Sequence, residues 1–496
     1  MKGNFELSSL ESVVSLAKRR GFVFPSSEIY GGIGACYDYG PLGVELKRNV
    51  KDAWWRSMVT LRDDVVGIDA SIIMHPKVWH ASGHVGNFND PMVDCKESNN
   101  RYRADHVSVL RVEGVEGCPM IAFIDDGGKA REKAEKRFSK FASGNFPSDH
   151  IETVLLTDIP LSEFGSVVGP DASKPGTLTE PRMFNLMFET YLGPIQSEES
   201  KVYLRPETAQ GIFVNFNNVI DTTRVKIPFG IAQQGKSFRN EVTTRHFTFR
   251  MCEFEQMEME FFCKPGTDAQ WYEYWKNARL QWFIDLGADP EKLRIRPHDP
   301  DELSHYSTGT SDIEYRFPFG WSELEGIACR TNYDLKQHAE HSGKKLEWKD
   351  QTSGASFTPH VIEPALGTDR AMLTFLVDAY REEEVDGNQR VVLGLHPRLA
   401  PTKVAVFPLL RKDGHPEKAQ EIYRRVREVY PAAYDEAGNI GRRYRRQDEA
   451  GTPACLTVDH QTFEDDTVTL RDRDSLEQRR IKVDAILGEL REQFGF

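Results

Sequence analysis

The feature that most restricts the fold is a charged hairpin sequence, QQGKSFRNEVTTRHFTFRMCEFEQMEMEFF, at residues 233–262. Two strand-like runs flank a short polar turn, and charged residues occupy positions where a buried strand carries apolar side chains. These charged residues are Arg239, Glu241, Arg250, Glu253, Glu255, Glu258 and Glu260. Such a hairpin is either a solvated, ion-paired sheet edge or the floor of a site that binds a charged, flat ligand.

The period of a strand brings several of these groups together. Side chains alternate along a strand, so Arg239 and Glu241 share one face, as do Phe254, Gln256 and Glu258. A guanidinium holds a phosphate by paired hydrogen bonds, and an aromatic ring stacks on a base. Such a face suits a nucleotide, although the hairpin taken alone favours the ion-paired edge.

Two further segments shift the balance towards a nucleotide site. The segment VYLRPETAQGIFVNF (202–216) places Arg205 and Glu207 beside a proline and before a helical run. The segment FTPHVIEPALGTDRAMLTFL (357–376) passes from a strand through Glu363 into a glycine turn, and Arg370 opens a helix. An arginine near the free N–H groups of a helix's first turn is well placed to hold phosphate.

Length and composition indicate a globular protein of two or three domains. The chain has 496 residues, 39% hydrophobic and 28% charged, without a run of 18 apolar residues, so we expect no association with a membrane. Seven cysteines and the absence of a signal-peptide pattern favour the cytoplasm. A net charge of −13 argues against a protein that coats nucleic acid, but the basic segment GRRYRRQDE (441–449) could dock an anionic partner locally.

Hydrophobic periods and breaker residues divide the chain into four regions. Their bounds are 1–94, 95–180, 181–395 and 396–496. The second region is polar and irregular and is interpreted as an inserted subdomain, whereas the third is rich in strands. The last region alternates strands and helices as an α/β unit does. In the first region we expect a helix at 44–59 and a strand over 63–76.

The chain resembles a known family in specific segments spread over most of its length. They are SEIYGG, YDYGPLGVELK, SGHVGNFNDPMVDC, RYRADH, LRPETAQGIF, GKSFRNE, EFEQMEMEFF, ELSHYS, EPALGTDR and GRRYRRQDEAGTP. The resemblance is to the class II aminoacyl-tRNA synthetases, and within them to the homodimeric glycyl-tRNA synthetases. It implies an α+β catalytic domain built on an antiparallel sheet, which 95–180 interrupts, and a C-terminal α/β anticodon-binding domain at 396–496.

The resemblance also implies an activity and its partners. Such an enzyme joins glycine to ATP, with Mg²⁺, to form glycyl-adenylate and pyrophosphate, and then passes the glycyl group to tRNA(Gly). Of the family's three signature motifs, the helix at 44–59 with the following strand resembles the first, which forms the dimer interface. The hairpin resembles the second motif, and the segment from Glu363 to Arg370 the third.

The family's ATP site carries over to the matching positions of this chain. Arg239 is expected to hold the α-phosphate, and Arg370 the γ-phosphate together with Arg245. Phe254 stacks on adenine, and Glu241 and Glu323 serve the adenine amino group and Mg²⁺ respectively. The full ATP set is Arg239, Asn240, Glu241, Arg245, Arg250, Met251, Phe254, Glu323, Leu324, Gly367 and Arg370, of which Arg239, Glu241 and Arg370 are the catalytic residues.

The remaining implied residues serve glycine and tRNA. The glycine set is Arg103, Glu207, Phe254, Glu258, Glu363 and Ala365, with three glutamates around the ammonium group. The tRNA set is Arg442, Arg443, Arg445 and Arg446, with Tyr444 as a stacking ring. Structural roles stay open for part of these sets. Some of the arginines are expected to pair with Asp448 and Glu449, and Glu253, Glu255 and Glu260 are expected to be structural or solvent-facing.

This sequence departs from the family at two positions. Relatives often carry two Cys-x-x-Cys pairs in the insert, but here only Cys95 and Cys118 remain, so no zinc is expected. The family commonly has Ser at the position of Ala365, whose hydroxyl would contact glycine. The histidines His75, His80 and His84 are interpreted as structural rather than as a metal cluster.

Three alternatives remain open at this point. One is a non-catalytic relative that binds RNA, although it predicts loss of the motif arginines, which are present. Another is an adenylate-forming ligase for a carrier other than tRNA, which the C-terminal domain argues against. The nearest is a synthetase for alanine or serine, which the three-glutamate pocket and the absence of an editing domain disfavour.

Overall fold

The computed structural model describes residues 9–112, 118–124, 129–141, 151–242, 246–303, 307–350, 354–385 and 387–496. The N-terminal region contains α1 (Leu10–Arg20), β1 (Val23–Pro25), β2 (Tyr37–Tyr39), α2 (Pro41–Trp55), β3 (Val65–Gly67), α3 (Lys77–Ala81), α4 (His84–Asn87) and β4 (Asn89–Asp94). The predicted helix at 44–59 is α2 and the π turn Arg56–Thr60 that continues it. Helix α2 buries Leu46, Val50 and Trp54 in the main core.

The strand predicted over 63–76 is wrong in its extent, since only Val65–Gly67 pairs with the sheet. Beyond it the Ala70 carbonyl accepts a hydrogen bond from the Arg205 side chain at 2.8 Å. A buried arginine thus satisfies backbone that a neighbouring strand would otherwise have to pair.

The inserted region has a sheet and a core of its own. Its elements are β5 (Arg101–Arg103), β6 (Val107–Val112), β7 (Met120–Ile124), α5 (Lys129–Phe141), β8 (Ile151–Leu155) and β9 (Val167–Val168). Four of the strands form a sheet in the order β8-β6-β7-β9, and Phe138 of α5 is buried with Val109 and Ile121 in its core. The region is therefore less irregular than its polar sequence predicts.

The third region contains the large sheet that carries the site. Its elements are β10 (Arg182–Asn185), β11 (Phe188–Tyr191), β12 (Lys201–Leu204), α6 (Ala209–Val214), α7 (Phe216–Thr222), β13 (Phe229–Phe238), β14 (Glu253–Cys263), α8 (Asp268–Asp285), β15 (Leu293–Pro297), β16 (Gly309–Phe317), β17 (Gly320–Thr331), α9 (Tyr333–Ser342), β18 (Trp348–Lys349), β19 (Ser356–Phe357), β20 (His360–Gly367), α10 (Thr368–Ala379), β21 (Tyr380–Val385) and β22 (Asn388–Leu393). Seven strands pair in the order β15-β16-β17-β20-β14-β13-β3. Every pair is antiparallel except β13 with β3 at the edge.

Two packed layers use opposite faces of this sheet. Met257, Met259 and Phe261 of β14 face the main core with α2, α8 and α10, whereas Phe262 joins a second apolar cluster with residues of α6 and α9. Alternation along β14 therefore puts Glu258 and Glu260 on the α6 side. This face of β14 is apolar at Phe262, near the end of the strand. Its charged residues therefore lie closer to the start of the strand.

The C-terminal region is an α/β domain. Its elements are β23 (Val404–Pro408), α11 (His415–Arg427), β24 (Ala432–Tyr434), α12 (Ile440–Ala450), β25 (Ala454–Val458), α13 (Thr462–Asp465), β26 (Thr467–Asp472), β27 (Gln478–Lys482) and α14 (Ile486–Phe494). The sheet order is β24-β23-β25-β26-β27, parallel on one side of β25 and antiparallel on the other. Within the described ranges, no helix is both long and apolar enough to cross a membrane.

Candidate active site

The strands β14, β17 and β20 line a cleft together with the start of α10. The charged hairpin of residues 233–262 forms much of its wall, but its geometry differs from the prediction. Strand β13 ends at Phe238, so Arg239 and Glu241 lie in the connection to β14 rather than on a strand face. The Arg239 N–H donates to the Cys252 carbonyl at 2.9 Å, which returns the chain towards β14.

One end of the cleft is acidic and buried. Glu207, Glu258 and Glu363 all line it, and they come from the loop before α6, from β14 and from β20. The Thr208 hydroxyl donates to Glu258 at 2.5 Å, and Arg330 donates to Glu363 at 2.9 Å. Glu258 is only 1% exposed, so its charge has little help from solvent.

Arg330 is a residue of this acidic end that the sequence reasoning missed. It stands near the end of β17, 3% exposed, and its guanidinium donates to Asp334 at 2.8 and 2.9 Å as well as to Glu363. The one sequence signal that could have identified Arg330 is that it is a lone arginine inside the apolar run EGIACRT. A fully desolvated cation among carboxylates is costly unless all its partners are present, so this geometry is tightly held.

The pKa values of Glu258 and Glu207 are shifted in opposite directions. Burial raises the pKa of Glu258 well above its ordinary value, and the nearby charges of Glu363 and Glu207 add to that rise. Burial pushes the pKa of Glu207 up too, but His84, 3.4 Å from its carboxylate, and Arg330 outweigh that effect and lower the pKa. His84 is thus a further residue of the acidic end to which the sequence reasoning gave no role in the site.

The other end of the cleft is basic and aromatic. The Arg239 guanidinium lies 5.3 Å from the Phe254 ring and 5.4 Å from the Phe88 ring, and its Nε donates to the Pro206 carbonyl at 3.1 Å. Its two terminal nitrogens stay available for a phosphate. Glu241 lies 3.9 Å from Arg250, so a carboxylate balances this second cation.

Arg370 stands in the first turn of α10, where the sequence predicts it. Its Nε donates to the Phe249 carbonyl at 3.1 Å, and its Nη1 lies 3.0 Å from the Glu323 carboxylate. Arg370 lowers the pKa of Glu323 and keeps it ionised. The Glu323 side chain is 50% exposed, so its hard oxygen atoms can reach a divalent cation together with phosphate oxygens. Gly367 and Ala365 complete this part of the wall.

Among the described residues, three of those predicted for ATP or glycine do not line the cleft. Arg103 lies in an adjoining cavity and pairs with Asp105 at 2.6 Å, and Asp90 lies 3.1 Å from it. Leu324 is 1% exposed and packs in the main core, because alternation along β17 turns it away from Glu323. Asn240 uses its N–H for the Leu186 carbonyl. Arg245 lies outside the described residues.

The acids expected to be structural are confirmed as such at two of the three positions. Glu255 accepts from Lys51 at 2.5 Å and lies 2.7 Å from Lys47, whereas the half-exposed Glu253 pairs with Lys236. Glu260 is different, since it is fully buried and neither of its carboxyl oxygens has a hydrogen-bond partner.

The basic segment of the C-terminal domain forms helix α12, which the sequence reasoning did not predict. Arg443 is 2% exposed and donates to the carbonyls of Pro408, Glu436 and Gly438, so it braces the sheet and does not face a ligand. Arg446 binds Asp435 at 2.5 Å, and only Arg442 of the four is fully exposed. Helix periodicity decides this, because it turns each arginine to a different side.

Tyr444 and the two neighbouring acids also have roles other than those predicted. The Tyr444 hydroxyl bonds Thr457 at 2.6 Å and its ring packs on Phe407, so it is not a free stacking surface. Asp448 binds Arg390 at 2.8 Å and Arg471 at 3.0 Å. Glu449 binds Arg19 and Arg20 of α1 rather than the arginines of α12.

Comparisons with known proteins agree with this architecture. The family model "tRNA synthetase class II core domain (G, H, P, S and T)" matches residues 188–379, and "Anticodon binding domain" matches residues 403–493, which confirms the predicted fold class. The chain is 49% identical to the glycine–tRNA ligase of Rhodopirellula baltica, over 97% of this chain and 98% of that protein. It is 51% identical to that of Caldanaerobacter subterraneus subsp. tengcongensis (98% and 99%) and 50% identical to that of Geobacillus thermodenitrificans (99% and 98%).

Proposed function

Because this chain belongs to the glycine–tRNA ligase family of class II tRNA synthetases, we propose that it activates glycine with ATP and transfers the glycyl group to the 3′ end of tRNA(Gly). In the first step the glycine carboxylate attacks the α-phosphorus of ATP, which forms glycyl-adenylate and releases pyrophosphate. The observation that carries the proposal is the polarity of the cleft, which is acidic and buried at one end and basic and aromatic at the other.

The acidic end is the glycine pocket in this proposal. Glu207, Glu258 and Glu363 surround the ammonium group, and Arg330 keeps Glu363 in place. Ala365 lies between Glu258 and Gly326 in the ladder and offers no hydroxyl, so recognition of glycine falls to the carboxylates. Side chains larger than hydrogen are excluded by volume. Since no smaller amino acid competes, no editing step is required.

The basic end is the ATP site. Arg239 holds the α-phosphate beside the reacting carboxylate, and Arg370 holds the γ-phosphate. Phe254 stacks on adenine next to the backbone of Arg250 and Met251, and Glu241 accepts from the adenine amino group. The carboxylate is already a nucleophile, so these groups act by positioning it and by stabilising the charge that develops on phosphorus.

Mg²⁺ fits this end through Glu323. Its carboxylate is ionised, half-exposed and beside the arginine assigned to the γ-phosphate, and the phosphate oxygens of ATP supply the remaining hard ligands. When bound, the ion neutralises phosphate charge.

The partners follow from the C-terminal domain and from the exposed apolar residues. Arg442 is the arginine of α12 most open to tRNA, with Arg445 and Arg446 partly exposed beside it. A homodimer is supported by Ile29, Tyr30 and Ile33 in the β1–β2 connection, which are 89%, 87% and 64% exposed. We place the enzyme in the cytoplasm, a reducing compartment that suits its free cysteines, and expect no zinc because the Cys-x-x-Cys pairs are missing.

The test is amino-acid-dependent ATP–pyrophosphate exchange with glycine, alanine and serine. We expect exchange with glycine alone, and a loss of about 10²-fold or more in Arg239→Ala, since one preorganised charge contact contributes that much. Arg316→Ala is the matched control, because Arg316 is exposed on β16 away from the cleft. Exchange with alanine or serine would instead support the synthetase alternative, and no exchange would support a non-catalytic RNA-binding relative.

A further inference from the structure

A second polar cluster lies one step behind the proposed glycine pocket. Glu260 follows Glu258 on the same face of β14, and it is fully buried with both carboxyl oxygens unpartnered. Gln233 of β13 lies directly opposite Glu258, is fully buried too, and has both of its amide atoms unpartnered. Unpaired polar atoms at such depth are rare in native proteins and require a functional explanation.

The charges around Glu260 are strongly unbalanced. Carboxyl oxygens of Glu258, Glu260 and Glu363 lie within 4.8 Å of one another. The other charged groups facing the cluster are Glu207 before α6, Asp334 on α9, Arg330 on β17 and the buried Arg205 after β12, while His84 borders Glu207 and His338 borders Gln210. Among the described residues, five carboxyl groups therefore face two guanidinium groups. Carboxylates so close together in a buried site cannot all be ionised.

Hydrogen bonding distinguishes the three groups. Glu363 accepts from Arg330, which favours its carboxylate, whereas Glu258 accepts from Thr208 and shares a further hydrogen bond with Glu363. Glu260 accepts no such bond and lies deepest, next to the apolar cluster of Phe262. Burial, followed by the charge of Glu363, raises the pKa of Glu260 well above its ordinary value.

We propose that the cluster of Glu258, Glu260 and Glu363 carries a proton on Glu260 in the glycine-free protein and releases it when the ammonium group of glycine binds. This inference rests on the proposed function. The balance is simple: the Glu260 carboxylic acid and zwitterionic glycine give the Glu260 carboxylate, bound zwitterionic glycine and one proton that passes to solvent. The ammonium group supplies the opposite charge that the free cluster lacks.

Glu260 is then a positioning residue whose charge is present only with glycine. The empty pocket avoids the repulsion of an additional buried carboxylate, and the occupied pocket gains its attraction for the ammonium group. Glycine affinity must consequently rise with pH, by up to about tenfold per pH unit below the pKa of the cluster, because binding and proton release are linked. ATP affinity should not depend on pH through Glu260.

The experiment is calorimetric titration of the full chain with glycine at pH 7 in phosphate and in Tris, whose ionisation enthalpies differ. The difference in observed enthalpy gives the number of protons released. We expect about one proton per site for the wild type and close to none for Glu260→Gln, since the amide cannot ionise. Glu253→Gln, a half-exposed position at the start of the same strand, is the matched control and should release protons as the wild type does.

Two results would overturn the proposal: no proton release by the wild type, or undiminished release by Glu260→Gln. If Glu260→Gln does not fold, the pH profile of the wild type decides, because the KM for glycine must fall with rising pH while the KM for ATP stays level. A level glycine KM would overturn the proposal. Wild-type protein that catalyses glycine-dependent exchange without proton release defeats this inference alone, whereas protein without exchange defeats the proposed function.

Discussion

At the scale of single residues, the acidic end of the site depends on buried hydrogen bonds made by Arg330 and Gln210. Arg330 binds Glu363 and Asp334 at once, and Gln210 joins Asp334 to Glu207 through bonds of 3.0 and 2.9 Å. The acidic pocket is thus one connected network. Removing a single member leaves its partners desolvated and unpaired, which costs more than the lost bond itself.

Arg330→Met tests this network. We expect kcat/KM for glycine to fall by about 10²-fold or more, corresponding to roughly 3 kcal/mol for a broken buried pair. The KM for ATP should change little, because Arg330 lies at the acidic end. Pyrophosphate exchange at varied glycine and ATP concentrations separates the two effects, and an equal rise in both KM values would argue for a general structural role instead.

At the scale of elements, helix α12 shows how one basic segment serves two purposes. Arg442 in its first turn is exposed, while Arg443 one position later is buried against three backbone carbonyls. A helix turns by about 100° per residue, so neighbouring arginines cannot share one environment.

This difference predicts opposite outcomes for two adjacent substitutions. Arg443→Ala should destabilise the C-terminal domain by about 2–4 kcal/mol, because it leaves buried carbonyls unpaired. Arg442→Ala should leave thermal unfolding unchanged and raise the KM for tRNA(Gly) severalfold. Unfolding by circular dichroism and aminoacylation at varied tRNA concentration measure the two effects. A stable Arg443→Ala protein would contradict the structural role assigned to that side chain.

At the scale of the whole molecule, ion pairs join the C-terminal domain to the catalytic part. Asp448 is 1% exposed and binds Arg390 of β22 and Arg471 of β26, while Glu449 binds Arg19 and Arg20 of α1. The bonds to Arg390, Arg19 and Arg20 cross from one domain to the other. They fix the position of the domain proposed to bind the anticodon relative to the cleft proposed to bind glycine and ATP.

Asp448→Asn should therefore reduce the charging of tRNA(Gly) while leaving glycine activation nearly unchanged. Glycine-dependent pyrophosphate exchange should stay within about twofold of wild type, since the cleft is untouched. Charging of tRNA(Gly) should fall by about tenfold, because the contact between the two domains weakens. Glu464→Gln, at an exposed position in α13, is a control with the same loss of charge. Equal losses in both assays would contradict a role confined to the contact between the two domains.

Much of this protein could be predicted from local pattern alone. The helical period at 44–59, the alternation along the hairpin strands and the glycine turn before Arg370 each reflect interactions between near neighbours, so the sequence determined those elements. The segments shared with a known family determined the fold class and the acidic residues Glu207, Glu258 and Glu363. These features depend on residue type and spacing, which the sequence states directly.

The tertiary structure decided the features that depend on contacts between residues distant in sequence. It brought Arg330 and His84 against the glutamates, moved Arg103 into a neighbouring cavity, buried Arg443, and left Glu260 unpaired behind the pocket. The free energy of a charge is set by its burial and by partners tens to hundreds of residues away. Sequence alone therefore determined which charges this protein carries, and only the fold decided which of them meet.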